Sequence, residues 1–179
     1  SPRLPLFLYG QSMGGNLAIN FVLRRRPAIA GMIASSPLLR TASAPPRWKT
    51  LMGANLRTLL PALPLGSGIR ADDLSRDLSV VDAYRRDPLV HDRLTLRFHE
   101  VLVAGEWAIE HAAGLPVPLL LMHGDADGIS SCGASAEFAG RAGDRCTLKI
   151  WEGMRHELHN EPESPQVHRA VIEWMERVG

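Results

Sequence analysis

A charge excess of one sign is missing from this chain. Its 20 lysines and arginines are matched by 19 aspartates and glutamates, leaving a formal net charge of +1 over 179 residues, so there is no electrostatic case for nucleic acid as a partner. Long apolar runs are also missing. Nothing in the sequence approaches the roughly 18 consecutive apolar residues of a membrane span. The opening SPRLPLFLYG carries neither the charged region, the long apolar stretch nor the cleavage pattern of a signal peptide. Cysteine is scarce: Cys132 and Cys146 stand without metal-ligand spacing and read as free thiols of a reducing compartment, which makes the expected location cytoplasmic. His91, His99, His111 and His168 have no ligand-like spacing either, so no metal and no cofactor are expected. There is no internal repeat or low-complexity tract. What these absences leave is a globular chain, 45% hydrophobic and 22% charged, long enough for one domain with a real core.

Glycine, by contrast, is concentrated around one serine. In LFLYGQSMGGNLAINFVLRR, residues 6–25, the apolar run Leu6 to Tyr9 is stopped by Gly10 and reads as a buried strand. From Asn16 to Arg26 the residues are helix formers, and the pattern stops before Pro27. Between them lies G-x-S-x-G centred on Ser12. An ordinary glycine-rich turn with a capping serine would look the same in isolation. The strand before and the helix after favour a sharper reading, in which the turn forces Ser12 toward unfavourable backbone angles and holds its hydroxyl out for attack. Gly10 and Gly14 would then let strand and helix approach without collision. The same turn aims main-chain N–H groups at one spot, so the amide of Met13 becomes a candidate oxyanion donor.

Further buried strands are expected at IAGMIASSP (29–37), PLLLMHG (118–124) and CTLKIWEG (146–153). SAEFAGRAG reads as a helix ending at Gly143. The last helix has Ser164 and Pro165 at its N-cap and first position, with Val167, Ala170, Val171, Trp174, Met175 and Val178 on one face. Strands alternating with helices imply an α/β fold: a parallel sheet with helices on both faces. Residues 38–114 break the rhythm with prolines, charges and helical patterns but no convincing strand. They are read as a helical cap or lid inserted between core segments 1–37 and 115–179. Leu51, Met52, Leu56, Leu59, Leu60 and Leu63 would line an apolar tunnel, rest on lipid, or form the small core of the insertion.

A serine hydroxyl is a poor nucleophile until an imidazole takes its proton, and the imidazole needs a carboxylate to hold its tautomer. In this type of fold the chain order is serine, acid, histidine. HGDADG after the third strand offers Asp125 and Asp127, and EGMRHELHNE after the fourth offers His156 and His159. His123, at the end of the third strand, reads as a satisfied structural histidine.

YGQSMGG, LLLMHGDADGIS and IWEGMRHELHNEPE together resemble the monoacylglycerol lipase and lysophospholipase group of the α/β-hydrolases. The similarity runs over almost the whole chain. Residue by residue, the resemblance implies Ser12 as nucleophile, the Met13 amide as one oxyanion donor, Asp127 as acid and His156 as base. Asp125 is then a turn former bonding its own loop. The implied activity is hydrolysis of a lipid-like ester, a monoacylglycerol or a lysophospholipid, without metal or cofactor. Transient contact with a membrane surface through the cap goes with it, and oligomeric state stays open. Rival readings are a carboxylesterase or an aminopeptidase of the same superfamily, or a hydrolase-fold protein that only binds. The resemblance also implies eight strands, with the serine after the fifth and a second oxyanion donor after the third. The sheet is therefore expected to be incomplete at the N-terminus, and the chain alone to be poorly soluble and weakly active.

Overall fold

The computed structural model describes residues 4–43, 60 and 62–179. Four parallel strands, β1 (Phe7–Gln11), β2 (Gly31–Ser35), β5 (Leu119–Gly124) and β6 (Cys146–Trp151), form a sheet in the order β1-β2-β5-β6. The parallel α/β sheet expected from the alternating pattern is therefore present, with β2, β5 and β6 each shorter than the stretch that pointed to it.

Side chains alternate across this sheet with period two. Met32 and Ala34 of β2 and Leu119 and Leu121 of β5 face one core, while Ile33, Leu120 and Met122 face the other. Three helices cover the first face: α1 (Met13–Arg25), α3 (His99–Glu110) and α4 (Cys132–Ala142). The second is covered by α5 (Ser164–Val178), which buries Val167 and Trp174 and packs Ala170, Val171, Met175 and Val178 beside them, the stripe expected from its spacing. Its N-cap is Glu163 rather than Ser164, so Pro165 falls one position deeper in the first turn, where the missing N–H still costs no hydrogen bond.

Two buried polar residues on α1 join it to α3. The Asn16 amide donates to the carbonyls of Leu38 (2.7 Å) and Val101 (2.9 Å), and the Asn20 amide to that of Ala104 (3.0 Å). Gly105 is required at this crossing, because a Cβ there would lie 2.1 Å from the Leu39 carbonyl oxygen. The first helix begins three residues earlier than its composition indicates, at Met13, so that it follows Ser12 directly.

The segment between β2 and β5 contains α2 (Leu78–Arg86) and α3, as its helical patterns indicate. The expectation that it lacks strands is corrected by β3 (Pro64–Gly66) and β4 (Arg93–Thr95), which pair antiparallel. Each is three residues long, too short to leave an alternating pattern in the sequence. Of the apolar residues singled out there, Leu51, Met52, Leu56 and Leu59 lie outside the described residues; Leu60 is exposed and Leu63 half-buried. Among the described residues no helix is long and apolar enough to cross a membrane.

Candidate active site

Parallel strands in register deliver their C-terminal ends to one edge of the sheet. Gln11 pairs with Ser35, Ser35 with Met122, and Gly124 with Trp151, so the residues that follow β1, β2, β5 and β6 emerge side by side. Ser12, Asp127 and His156 all lie on these segments.

Ser12 sits between β1 and α1 with φ 53° and ψ −120°. A left-handed φ on a residue with a Cβ is unfavourable by about 1–3 kcal/mol. The main chain holds it there at three points. Its N–H donates to the Ser35 carbonyl (3.0 Å), and its own carbonyl accepts from the N–H groups of Asn16 (3.1 Å) and Leu38 (2.9 Å). Gly10 has the role the sequence implied: a Cβ on it would lie 2.5 Å from the Gly14 carbonyl oxygen. For Gly14 that expectation is corrected, since a Cβ there would meet nothing within 4 Å. The tight second glycine is Gly15, whose Cβ would lie 2.9 Å from the Pro37 side chain. Met13 is the first residue of α1, where main-chain N–H groups have no intrahelical acceptor.

Asp127 and His156 are brought together, with Nδ1 of His156 2.8 Å from Oδ2 of Asp127. Both are buried. The other carboxylate oxygen accepts from the N–H groups of Ile129 (2.8 Å) and Ser130 (3.0 Å). The Ser130 hydroxyl donates to Oδ2 (2.6 Å). Burial alone would push the Asp127 carboxyl up, but hydrogen bonds from His123, His156 and Ser130 outweigh it and hold the group well below the usual carboxylate range.

The acid and histidine loops are laced to each other by their main chains. Asp125 N–H donates to the Trp151 carbonyl and Ala126 N–H to that of Met154, both at 3.1 Å. Gly124 permits this approach, because a Cβ on it would lie 2.2 Å from the Met154 carbonyl oxygen. The turn role expected for Asp125 within its own loop is corrected here: its carboxylate accepts from the N–H of Gly153, at 2.6 Å, in the histidine loop. His159 lies in a short 3-10 turn, Leu158–Asn160, away from these contacts.

His123 is satisfied, as expected of a strand-end histidine, but its partners belong to the site. Its Nδ1 is 2.8 Å from the Ser135 hydroxyl, and its Nε2 lies 3.1 Å from Oδ2 of Asp127 and 3.2 Å from the Ser130 hydroxyl. Ser130 and Ser135 left no signal in the sequence, because a serine on a loop or helix is too common to single out. Next to Ser12 is a cavity of about 370 Å³. Leu38, Phe98 and Ile129 give it apolar wall, and Thr41, Ser67 and Asp73 add polar groups. A strained serine lining a largely apolar cavity, with a buried carboxylate–imidazole pair at the same sheet edge, is an arrangement able to carry out acyl transfer.

Comparison with known proteins agrees with this architecture. The family model described as serine aminopeptidase, S33, matches residues 1–163. The human monoglyceride lipase is 38% identical over 175 residues, covering 96% of this chain and 57% of the relative. Phospholipase YtpA of Bacillus subtilis is 36% identical over 172 residues, covering 94% and 66%. The crystal structure of the Paleococcus ferrophilus monoacylglycerol lipase superposes with a TM-score of 0.91 at 31% identity, covering 98% of this chain and 69% of that one. The chain thus spans less than two thirds of the length of these curated relatives. With a parallel sheet of this topology and a family match over most of its length, it belongs to the serine aminopeptidase S33 family of α/β-hydrolases.

Proposed function

We propose that the protein is a serine ester hydrolase that cleaves lipid-like carboxylic esters, a monoacylglycerol or a lysophospholipid, through an acyl-enzyme on Ser12. The observation that carries this reading is the buried His156–Asp127 hydrogen bond at the same sheet edge as the strained Ser12. Names of relatives support the substrate class: monoacylglycerol lipases and a phospholipase are among them.

In this mechanism Nε2 of His156 removes the Ser12 hydroxyl proton as Oγ attacks the ester carbonyl. Asp127 holds Nδ1–H, fixing the tautomer and stabilising the imidazolium. The negative charge that develops on the carbonyl oxygen is met by the Met13 N–H. Collapse breaks the ester C–O bond, and His156 returns its proton to the departing alcohol. Water then attacks the acyl-enzyme with His156 again as base, regenerating Ser12 and releasing the fatty acid. The apolar wall from Leu38, Phe98 and Ile129 suits an acyl chain. Exposed Leu60, Leu65 and Ile69 support transient contact with a membrane surface.

The test is hydrolysis of p-nitrophenyl esters of increasing chain length, together with 1-monoacylglycerols, by the intact protein. Each buried methylene is worth about 0.8 kcal/mol, so the rate should rise from acetate to a medium or long acyl chain. A maximum at acetate would overturn the lipid reading in favour of a small-ester carboxylesterase. Cleavage of aminoacyl arylamides in preference to esters would favour the aminopeptidase.

A further inference from the structure

The mechanism leaves one buried carboxylate unused. Glu161 follows the histidine loop, is 2% exposed, and has its side chain wholly out of solvent. A carboxylate in such a place is tolerated only when donors surround it, and its two oxygens serve different segments. Oε1 accepts from the main-chain N–H of Arg155 at 2.6 Å, the residue immediately before His156. Oε2 accepts from the main-chain N–H of Arg76 at 3.2 Å and from its Nε at 2.9 Å.

One side chain therefore joins the histidine loop to residues 71–77. The same seam is closed by main-chain contacts. The His156 N–H donates to the Asp73 carbonyl (3.4 Å) and the Glu157 N–H to that of Leu74 (2.8 Å). The Ser75 hydroxyl donates to the Asn160 carbonyl (2.8 Å), and the Arg155 guanidinium to the carbonyls of Asp72 and Ser75. Asp73 in turn lines the cavity beside Ser12. Residues 152–157 form no helix or strand, so the main chain that carries His156 is held by these cross-contacts rather than by a regular ladder.

We infer that Glu161 is a positioning residue: through Arg155 it sets the place of His156 against Asp127, and through Arg76 it ties that placement to the cavity wall at Asp73. The inference rests on the reading of Ser12, Asp127 and His156 as a triad. Small displacements of a general base matter: about 1 Å of misplacement is worth ~10²-fold in rate.

The experiment compares Glu161→Gln and Arg76→Gln in the intact protein, reading three quantities: kcat and KM for a monoacylglycerol, thermal stability, and the downfield proton NMR signal of His156 Nδ1–H in its bond to Asp127. Glu161→Gln keeps one accepting oxygen and turns an NH2 group toward a donor, whereas Arg76→Gln removes the guanidinium, which also pairs with Glu163, and leaves the Glu161 carboxylate on the main-chain N–H groups of Arg155 and residue 76. Both should lower kcat about tenfold or more, with a smaller change in KM, and weaken or shift the His156 signal. The two substitutions change net charge in opposite senses. A purely long-range charge effect would therefore move kcat in opposite directions and overturn the inference. So would kcat within twofold of the parent with the downfield signal intact, or a loss that only tracks the unfolded fraction. Should Glu161→Gln not fold, Arg76→Gln decides alone, since that side chain is one third exposed. Ser12→Ala separates the two readings: if it remains active the triad reading fails, while the imidazole signal, which needs no turnover, still tests the role of Glu161.

Discussion

Ser12 and Asp127 follow two strands of the same sheet and are held by opposite means. Around Ser12 the main chain does the holding: a left-handed φ, three main-chain hydrogen bonds, and glycines at 10 and 15 that let helix and strand close on it. At Asp127 the constraint is carried by side-chain contacts, with two N–H groups, a serine hydroxyl and two imidazoles converging on one carboxylate. The first device uses no side-chain atom of Ser12 and survives replacement of that side chain. The second is made by the carboxylate itself, and it fails when that group changes its hydrogen-bonding character.

The contrast is sharpest at Ser12 itself. Ser12→Ala should lower turnover by about 10⁶-fold with the fold intact, because the backbone constraint does not use the hydroxyl. Ser12→Gly should be equally inactive yet more stable than Ser12→Ala by about 1 kcal/mol, since glycine accepts a positive φ without steric cost. Ester hydrolysis and thermal melts of the two variants in the intact protein check both parts. A Ser12→Ala variant within tenfold of the parent would remove the serine from the mechanism.

Asp127→Asn should act on both function and stability. The amide turns an NH2 toward groups that now donate, favours the wrong imidazole tautomer and lowers turnover by about 10⁴-fold. It also removes a pH-dependent stabilisation. The folded-state pKa of Asp127 is held below its ordinary value, so its contribution is present above the unfolded pKa of about 3.9 and is lost as pH falls through the folded value. The parent protein should therefore lose stability over that acid window, and Asp127→Asn should show a shallower acid limb in denaturant titrations run from neutral pH downward. If Asp125→Asn, which changes only the contact to Gly153, damaged turnover more, the acid would be Asp125.

What could be read from the sequence depends on whether adjacent residues carry the pattern. The elbow at Ser12 is written in adjacent residues, a stopped apolar run and three nearby glycines, and so are the four strands and the stripe on α5. Only β2 and β5 are buried throughout, while β1 and β6, also expected to be buried, are partly exposed at the two ends of the strand order. The Asp127–His156 pairing required a chain-order rule and a family resemblance, because the two residues are 29 apart in sequence and only the parallel register brings their loops together. Ser130, Ser135 and the second bond of His123 could not be read at all. Nothing local distinguishes a serine that donates to a buried carboxylate from one on a surface loop. The short pair β3–β4 escaped for a related reason, since three residues leave no periodicity. Asn16 and Asn20 look like ordinary polar helix positions until α3 is seen to supply the carbonyls they bind.

The smallest expected effect lies among the glycines of the elbow, where the sequence motif and the packing disagree about which one matters. Gly10→Ala would drive a Cβ into main-chain atoms of Gly14 and Gly15 at 2.5–2.9 Å. Backbone cannot step aside as a flexible side chain can, so the loss should be about 3 kcal/mol or more. Gly15→Ala meets Pro37, with its side chain at 2.9 Å and its Cα at 3.1 Å, and should cost about 1–3 kcal/mol as the turn after β2 shifts. Gly14→Ala meets nothing within 4 Å. In the first turn of α1 it should be neutral or stabilising by about 0.5 kcal/mol, because alanine loses less backbone entropy than glycine on entering a helix. Thermal melts of the three variants in the intact protein test the order Gly10, Gly15, Gly14. If Gly14→Ala fell as far as Gly10→Ala, the last glycine of G-x-S-x-G would be a packing requirement after all.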